Sequence, residues 1–154
     1  MARVVFVDRD EKDSMRDIFQ DYMVELSQFD PDIKFDGNGK VVYKWFDYYW
    51  EESSRYPMYY MVDGVVAGIA MVRQLEPYMY EMAEFYVKPE YRVDGNAKAF
   101  AMDVMNMFDG NFDISTRYTN PRAVKFWHKV ASMYTATYDD TDTVWARWIV
   151  ENKK

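Results

Sequence analysis

The stretch Glu84-Phe-Tyr-Val-Lys-Pro-Glu-Tyr-Arg-Val-Asp-Gly-Asn-Ala-Lys98 decides how the rest of this sequence is interpreted. Its start belongs to a β-branched and aromatic run that predicts a strand over 78–87, ended by Pro89. Gly95 lets the backbone approach a ligand closely, and a helix is predicted to begin directly after it. The first N–H groups of a helix lack internal partners and lie at the positive end of its dipole, which favours phosphate. An ordinary strand-to-helix turn with one glycine is the alternative interpretation.

The residues after this stretch predict an alternation of helices and strands. The helix is expected to run to about Phe108, with small and apolar residues along one face. A strand is predicted over 112–118, and Asn120-Pro121 then combines an N-cap with a proline at the first helical position. Two further strands are predicted around 132–138 and 144–150.

The residues before the stretch predict a strand and two helices. Residues 3–8 form a short β-branched strand. Asp10 is expected to cap a helix that carries apolar residues at spacings of three and four up to Leu26. The aromatic-rich segment 43–53 is predicted to form a second helix.

Asp63-Gly64 marks a β-hairpin between predicted strands at 56–62 and 65–74, because a type I′ turn needs two residues with positive φ. The complete predicted order is β-α-α-β-β-β-α-β-α-β-β, in a single domain over residues 1–154. One mixed sheet with helices on both faces is the most economical arrangement of these elements. The predicted fold class is therefore α/β, with a mixed sheet of the α+β type.

Composition and charge exclude several classes of function. The chain has no cysteine, which removes disulfides, thiolate nucleophiles and cysteine zinc sites. Its net charge of −7 argues against nucleic-acid and anionic-membrane partners. It shows neither a signal-peptide core nor an apolar run of about 20 residues. We therefore expect a cytoplasmic protein without a metal site. A homodimer is compatible with the many aromatic residues, although nothing in the sequence requires one.

The charge is unevenly distributed along the chain. The segment from Glu84 to Val130 contains seven basic and six acidic residues, a balance of +1, so the remainder of the chain carries −8. If the protein binds an anionic ligand, we expect it on this segment. A chance fluctuation on a solvated surface is the alternative explanation.

Two motifs in this segment resemble those of a known family. The sequence Arg92-Val-Asp-Gly-Asn-Ala97, directly after the strand, resembles motif A of the GNAT superfamily of N-acetyltransferases. The sequence Asn120-Pro-Arg-Ala-Val-Lys-Phe-Trp-His-Lys129 resembles a second motif of that family at the expected spacing. The predicted element order is also the GNAT order. The resemblance therefore extends over the whole chain at the level of the fold.

This resemblance implies an acetyl-CoA site made largely by backbone groups. The loop and the helix start would wrap the pyrophosphate through N–H groups, and the strand end would bind the pantetheine arm and the thioester carbonyl. The next helix would line the coenzyme. The residues implied are Val93, Asp94, Gly95, Asn96, Ala97 and Lys98 in the loop and helix start, with Arg92 adding charge, Tyr86 and Val87 at the strand end, and Asn120, Phe126 and Trp127 on the helix. In the family the two strands that carry these elements splay apart to leave a slot for the cofactor.

The sequence departs from the family pattern at two places. Val93-Asp94 stands where many relatives have basic residues, and an acid beside a pyrophosphate is unfavourable unless it points to solvent. Trp127 stands where many relatives carry a tyrosine that acts as general acid. An indole cannot supply that proton.

Acyl transfer to an amine requires that the amine first lose a proton, because an amine with a pKa of about 10.4 is not nucleophilic when charged. Glu84 lies at a strand position where some relatives place a carboxylate, so it is the predicted general base, acting through water. Glu81 is a weaker substitute. The backbone N–H of Val87 is the candidate donor to the oxyanion. Tyr134 is the predicted proton donor to the departing thiolate, with Tyr86 as the alternative.

The function predicted from these residues is transfer of an acetyl group from acetyl-CoA to the primary amine of a small-molecule acceptor. The acidic remainder of the chain, with aromatic and acidic residues together at 48–52, favours a cationic acceptor such as a polyamine, an aminoglycoside or a basic peptide. The rival interpretation is a non-catalytic sensor or interaction module that binds acyl-CoA. Trp127 at the tyrosine position is the feature that supports the rival.

Overall fold

The computed structural model describes residues 1–154, which form a seven-stranded mixed sheet with three α-helices. The elements in chain order are β1 (Ala2–Phe6), α1 (Lys12–Leu26), β2 (Arg55–Val62), β3 (Val65–Glu76), β4 (Met79–Val87), α2 (Asn96–Asn106), β5 (Asn111–Arg117), α3 (Pro121–Ala131), β6 (Ala136–Asp139) and β7 (Trp145–Val150). Short 3₁₀ turns occur at Arg9–Glu11, Asp47–Trp50 and Pro89–Tyr91. The predicted strands and the helices after the loop are confirmed to within a few residues.

The sheet order is β1-β2-β3-β4-β5-β7-β6. Every neighbouring pair is antiparallel except β4 and β5, which run parallel at the centre of the sheet. A parallel pair needs a long crossover connection, which α2 supplies. The predicted mixed sheet is therefore confirmed, and its one parallel junction lies beside the loop that precedes α2.

Helices cover both faces of the sheet and create two apolar cores. The larger core packs α2 and α3 against one face, with Phe100, Trp127 and Trp148 among its buried residues. The smaller core packs α1 against the other face, where Phe19 and Tyr59 are buried. The two faces of β4 therefore contribute to different cores, and a side chain on this strand faces either α1 or the α2–α3 pair.

The Asp63-Gly64 hairpin is confirmed. Both residues have positive φ, at 50° for Asp63 and 80° for Gly64, and Val62 pairs directly with Val65. Positive φ at both central residues is the requirement of a type I′ turn.

Two local predictions are wrong. The segment 43–53 does not form an α-helix, because only Asp47–Trp50 is helical and its turn is of the 3₁₀ type. Aromatic residues have only modest helix propensity. Phe46 and Tyr49 are buried although the segment is irregular, so buried residues three positions apart occur here without a helix. Asp10 does not cap α1. It lies in the 3₁₀ turn that precedes α1, and no side chain caps either element.

None of the helices combines the length and apolarity that a membrane-spanning segment needs.

Candidate active site

The central parallel junction is short and opens into a cleft. Strands β4 and β5 pair only at three positions, between residues 79–81 and residues 111–113. Beyond these pairs the strands diverge, and a cleft of about 630 Å³ lies between them. All twelve of the predicted cofactor-binding residues line this opening, which lies where the family resemblance implies a slot.

A β-bulge in β4 sets which side chains face the cleft. Glu84 pairs with Met71 and Met82 pairs with Val72, so Ala83 is an extra residue on β4. An extra residue shifts the alternation of side chains by one position. As a result Phe85 packs toward the larger core, whereas Glu84 lies on the α1 face. The sequence carries no signal for this bulge.

The edge of β4 that faces β5 is unpaired beyond residue 81. The amide of Lys88 donates to the carbonyl of Ala67 on the β3 side, and amides alternate between the two edges along a strand. The amides of Val87 and Phe85 therefore point toward the cleft. The carbonyl of Val87 accepts a 2.8 Å hydrogen bond from Arg92 Nε, so this acceptor is already used. The unpaired edge offers the Val87 amide that was predicted and a Phe85 amide that was not.

The loop before α2 presents backbone amides without partners. Asp94 and Gly95 have φ of 56° and 74°, and the Asn96 amide donates to the Val93 carbonyl, which closes a tight turn. Five amides donate no hydrogen bond in the structure, namely those of Val93, Asp94, Gly95, Ala97 and Lys98. The side chain of Asn96 donates to the Tyr91 carbonyl and braces the loop from within. These amides and the positive end of α2 form a seat suited to phosphate groups.

Side-chain charge around this seat is positive on balance. Lys98 was predicted here, and the cleft is also lined by Arg122 and Lys129 from α3. None of these three side chains forms an ion pair within the protein. Asp94 is exposed, so its carboxylate has access to solvent. The donor set therefore fits a diphosphate.

Arg92 has a different set of contacts from the one expected. Its guanidinium donates to both carboxylate oxygens of Glu25 at 2.9 and 2.7 Å, besides the bond to the Val87 carbonyl. It also lies 5.5 Å from the Tyr86 ring centroid. Arg92 thus joins the end of β4 to α1, and its charge is largely neutralised by Glu25. Its predicted contribution to phosphate binding is therefore weakened by this ion pair.

The start of α3 forms the opposite side of the cleft. Asn120 caps the helix, since its side-chain oxygen accepts from the Ala123 amide at 3.3 Å, and Pro121 follows at the first helical position. Such a cap stabilises a helix by about 1 kcal/mol. Phe126 and Trp127 line the cleft, and both rings contact Phe85, with centroid distances of 5.6 and 5.1 Å. The predicted cap is confirmed, and aromatic rings from β4 and α3 form the apolar part of the cleft.

Glu84 is bound by two tyrosines on the α1 side of the sheet. Its carboxylate accepts from the Tyr22 hydroxyl at 2.7 Å and from the Tyr43 hydroxyl at 3.0 Å. Burial raises the pKa of Glu84 to about 7, against the lowering effect of these two hydrogen bonds. The negative charges of Glu81 and Asp30 contribute to the same rise in the pKa. A carboxylate with this pKa is suited to accept a proton near neutral pH.

The other predicted catalytic residues lie in different places. Glu81 forms a 3.3 Å ion pair with Arg73, which occupies its carboxylate. Tyr86 lines the cleft. Tyr134 does not line it, and its buried hydroxyl has no hydrogen-bond partner, so its role as proton donor stays a prediction. None of the residues 48–52 lines the cleft, and Tyr49 is buried in the smaller core.

The sequence pattern does not mark several of the residues that line the cleft. Tyr22 and Glu25 from α1 and Ser115 and Thr116 from β5 line the cleft. No local motif marks the α1 residues, because their partners on the β4 side are 62 and 67 residues away in the chain. Ser115 and Thr116 line the cleft because β5 separates from β4 after residue 113. The sequence does not show where this pairing stops.

Comparison with known proteins assigns this architecture. A model of the acetyltransferase (GNAT) family matches residues 12–132. No curated protein sequence matches the chain. Among solved structures, the ribosomal-protein-S18-alanine N-acetyltransferase of Escherichia coli is 10% identical, with a TM-score of 0.68 over 100% of this chain and 96% of that chain.

Two further structures share the fold at similarly low identity. The PaiA N-acetyltransferase of Thermoplasma acidophilum, solved with coenzyme A, is 9% identical, with a TM-score of 0.70 over 98% of this chain and 99% of that chain. A spermidine N-acetyltransferase chimera from Vibrio cholerae is 9% identical, with a TM-score of 0.70 over 98% and 95% of the two chains. The family model spans most of the chain and includes both strands, the loop and the helices that form the cleft, so the chain belongs to the acetyltransferase (GNAT) family.

Proposed function

We propose that this acetyltransferase-family chain transfers an acetyl group from acetyl-CoA to the primary amine of a small cationic acceptor. The observation that carries the proposal is the cleft between β4 and β5, which joins five unpartnered amides of the loop and the start of α2 to an unpaired strand edge. A carboxylate suited to deprotonate an amine lies on the other face of the same strand.

The coenzyme fits the cleft in chemistry. The loop amides, with Lys98, Arg122 and Lys129, would hold its diphosphate. The amides of Phe85 and Val87 would hold its peptide-like arm and the thioester carbonyl, where negative charge develops during transfer. When bound, acetyl-CoA supplies the acetyl group as an activated thioester.

Glu84 is the proposed general base. An amine acceptor arrives mainly as an ammonium ion, and it attacks only after one proton has left. The pKa of Glu84, raised to about 7 by burial, leaves it largely ionised above neutral pH yet basic enough to take this proton. The leaving thiolate takes a proton as well. Trp127 cannot supply it, so Tyr134 stays the predicted donor, with the cleft-lining Tyr86 as the alternative.

The acceptor is proposed to be cationic because the chain outside residues 84–130 carries −8. Near the base, Glu81 and Asp30 act on Glu84 through their negative charges, although Arg73 and Arg117 pair with them. A negative field of this kind attracts an ammonium ion. The spermidine N-acetyltransferase chimera has the same fold, and its polyamine substrate supports a cationic acceptor here.

The test is release of free thiol from acetyl-CoA with spermidine, kanamycin and a basic peptide as probe acceptors. We expect turnover with at least one of them, and a thermal shift of the protein with coenzyme A alone. The rival function is a non-catalytic acyl-CoA sensor, favoured by Trp127 at the position of the usual acid. A thermal shift without turnover of any amine would support the sensor and contradict the proposed enzyme.

A further inference from the structure

The proposed base does not reach the cleft by itself. Glu84 is absent from the side chains that line the cleft, because the bulge at Ala83 turns it toward α1. Tyr22 does line the cleft, and its hydroxyl donates a 2.7 Å hydrogen bond to Glu84 Oε1. Tyr22 therefore forms part of the cleft wall and is hydrogen-bonded to the carboxylate at the same time.

We propose that Tyr22 relays the proton of the acceptor amine to Glu84, so that this hydroxyl, and not a water molecule or Glu84 itself, contacts the amine. The inference rests on the proposed function, since it takes Glu84 as the base. It adds the residue that touches the acceptor and the path that its proton follows.

The relay balances in protons and electron pairs. As an N–H bond of the ammonium breaks, a new O–H bond forms on Tyr22 with a lone pair of its oxygen. At the same time the original O–H bond of Tyr22 breaks and its proton bonds to Glu84 Oε1. Tyr22 is neutral before and after the step, Glu84 becomes neutral, and the amine keeps the electron pair that attacks the acetyl group. A hydroxyl is both donor and acceptor, so it can do both at once.

The surroundings of Tyr22 keep it neutral throughout. Burial raises its pKa well above the usual 10, and the charge of Glu84 and its hydrogen bond raise it further. The Tyr22 ring also packs 5.3 Å from the ring of Tyr86, which in turn lies near the guanidinium of Arg92. A tyrosinate is therefore not formed as a separate species, and the two proton transfers must be coupled.

Tyr43 provides a matched control. Its hydroxyl donates to the other oxygen of the same carboxylate at 3.0 Å, but Tyr43 does not line the cleft. Its pKa is also raised by burial and by the charge of Glu84. Tyr43 lines a separate, smaller pocket with Val41 and Trp45. It therefore acts on Glu84 through the same kind of hydrogen bond as Tyr22 without lining the cleft.

The experiment compares Tyr22→Phe and Tyr43→Phe across pH with the fastest probe amine, after thermal unfolding has shown that both variants fold. Both lose a hydrogen bond that lowers the pKa of Glu84, so in both the acidic limb of kcat/KM should move to higher pH. Above that limb, Tyr22→Phe should remain about 100-fold slower than Tyr43→Phe, because about 100-fold is the usual effect of positioned proton transfer on rate. The affinity for coenzyme A should be unchanged in both.

A proton inventory in mixtures of H₂O and D₂O gives a second readout on the wild-type protein. A coupled relay should give a curved plot from two protons in flight, and a straight plot would overturn the relay even if a variant failed to fold. Equal rates for the two variants above the acidic limb would also overturn it.

These outcomes separate the relay from the proposed function. If Glu84→Gln keeps the wild-type rate, the assignment of the base is wrong and the relay is overturned with it. If no probe amine is acetylated, the proposed enzyme fails and Tyr22 has no proton to relay. If Glu84→Gln is inactive while the two Tyr→Phe variants match, only the relay fails.

Discussion

The two ends of the candidate site are built in different ways. At the proposed phosphate end, five unpartnered amides come from one short loop and the first turn of α2, and the Asp94 side chain is exposed to solvent. At the base end, the site consists of side chains from three distant segments, with Tyr22 and Tyr43 converging on Glu84. The first end depends on the shape of the backbone, whereas the second depends on how separate elements pack together.

This difference has consequences for substitution. A backbone site is damaged by a change in φ, and most side-chain changes there have small effects. A side-chain site is damaged by removal of one functional group, even when the backbone is unchanged. Substitutions at each end should therefore affect different measured quantities, coenzyme affinity at one end and turnover at the other.

The largest effect is expected for Glu84→Gln, which keeps the shape of the side chain and removes the base. The kcat should fall by roughly 100- to 1000-fold, the worth of general base catalysis, and the Kd for coenzyme A should not change. Steady-state kinetics and calorimetry measure the two quantities. Glu81→Gln is the control on the same strand, and it should keep most of the activity because Glu81 is paired with Arg73. The reverse pattern would assign the base to Glu81.

The same substitution should also change how stability depends on pH. The pKa of Glu84 is raised from an ordinary 4.5 to about 7, so the folded state loses stability relative to the unfolded state as the pH rises through this range. Glu84→Gln removes that loss. Its melting temperature relative to wild type should therefore increase from about pH 5 to about pH 8, and a difference that is constant across pH would show that Glu84 is not desolvated.

The next largest effect is expected for Gly95→Val at the phosphate end. Gly95 has a φ of 74°, a region that costs a β-branched residue about 1–2 kcal/mol, and distortion of the loop would misalign the amides. The Kd for coenzyme A should rise by about 100-fold, measured by calorimetry or thermal shift. Gly64→Val is the matched control, because Asp63-Gly64 has almost the same φ values but lies at a hairpin. It should lose stability without losing affinity, and equal losses of affinity would place the phosphate seat elsewhere.

A smaller effect is expected from pH alone. Glu84 must be ionised to accept a proton, and its pKa is about 7, so kcat/KM should fall about tenfold for each unit of pH below that value. The Kd for coenzyme A should stay nearly constant over the same range, because the phosphate end binds through backbone amides, which do not titrate. A loss of affinity that parallels the loss of rate would contradict the separation of the two ends.

The smallest effect is expected for Asp94→Asn. Asparagine tolerates positive φ as aspartate does, so the substitution removes only a negative charge beside the phosphate seat. Affinity for coenzyme A should rise about threefold at low salt and less at high salt, in line with an exposed charge worth under about 1 kcal/mol. Asp63→Asn should leave the affinity unchanged. A change of about tenfold would mean that the Asp94 carboxylate contacts the ligand directly.

The two Asp-Gly pairs show how much of the fold could be predicted. Both have positive φ at both residues. Asp63-Gly64 is predicted as a hairpin turn, and Gly95 is predicted to mark the loop before a helix, because glycine indicates such conformations locally. The element after each turn determines whether its amides are free to bind a ligand. Val65 continues into a paired strand, whereas Ala97 and Lys98 begin a helix whose first amides have no partner. Alternation and helical spacing also predicted the sheet and the helices after the loop.

The base end could be predicted only in part. Glu84 is predicted from the family resemblance, but Tyr22 and Tyr43 lie 62 and 41 residues before it, and only tertiary packing brings the three together. The false helix at 43–53 has the same origin, because Tyr43 reaches Glu84 from an irregular segment whose aromatic residues happen to have helical spacing. The bulge at Ala83, which turns Glu84 away from the cleft, has no counterpart in the sequence pattern.

With only three residue pairs, the junction between β4 and β5 is the least paired junction of the sheet. Strands β1 to β4 form one half of the molecule and β5 to β7 the other, and beyond this junction the halves are held mainly by apolar packing with α2 and α3. A ligand that accepts hydrogen bonds from the exposed edge of β4 and packs against α3 would replace the missing hydrogen bonds between β4 and β5. A coenzyme bound in this way should therefore stabilise the folded protein by linking the two halves of the sheet.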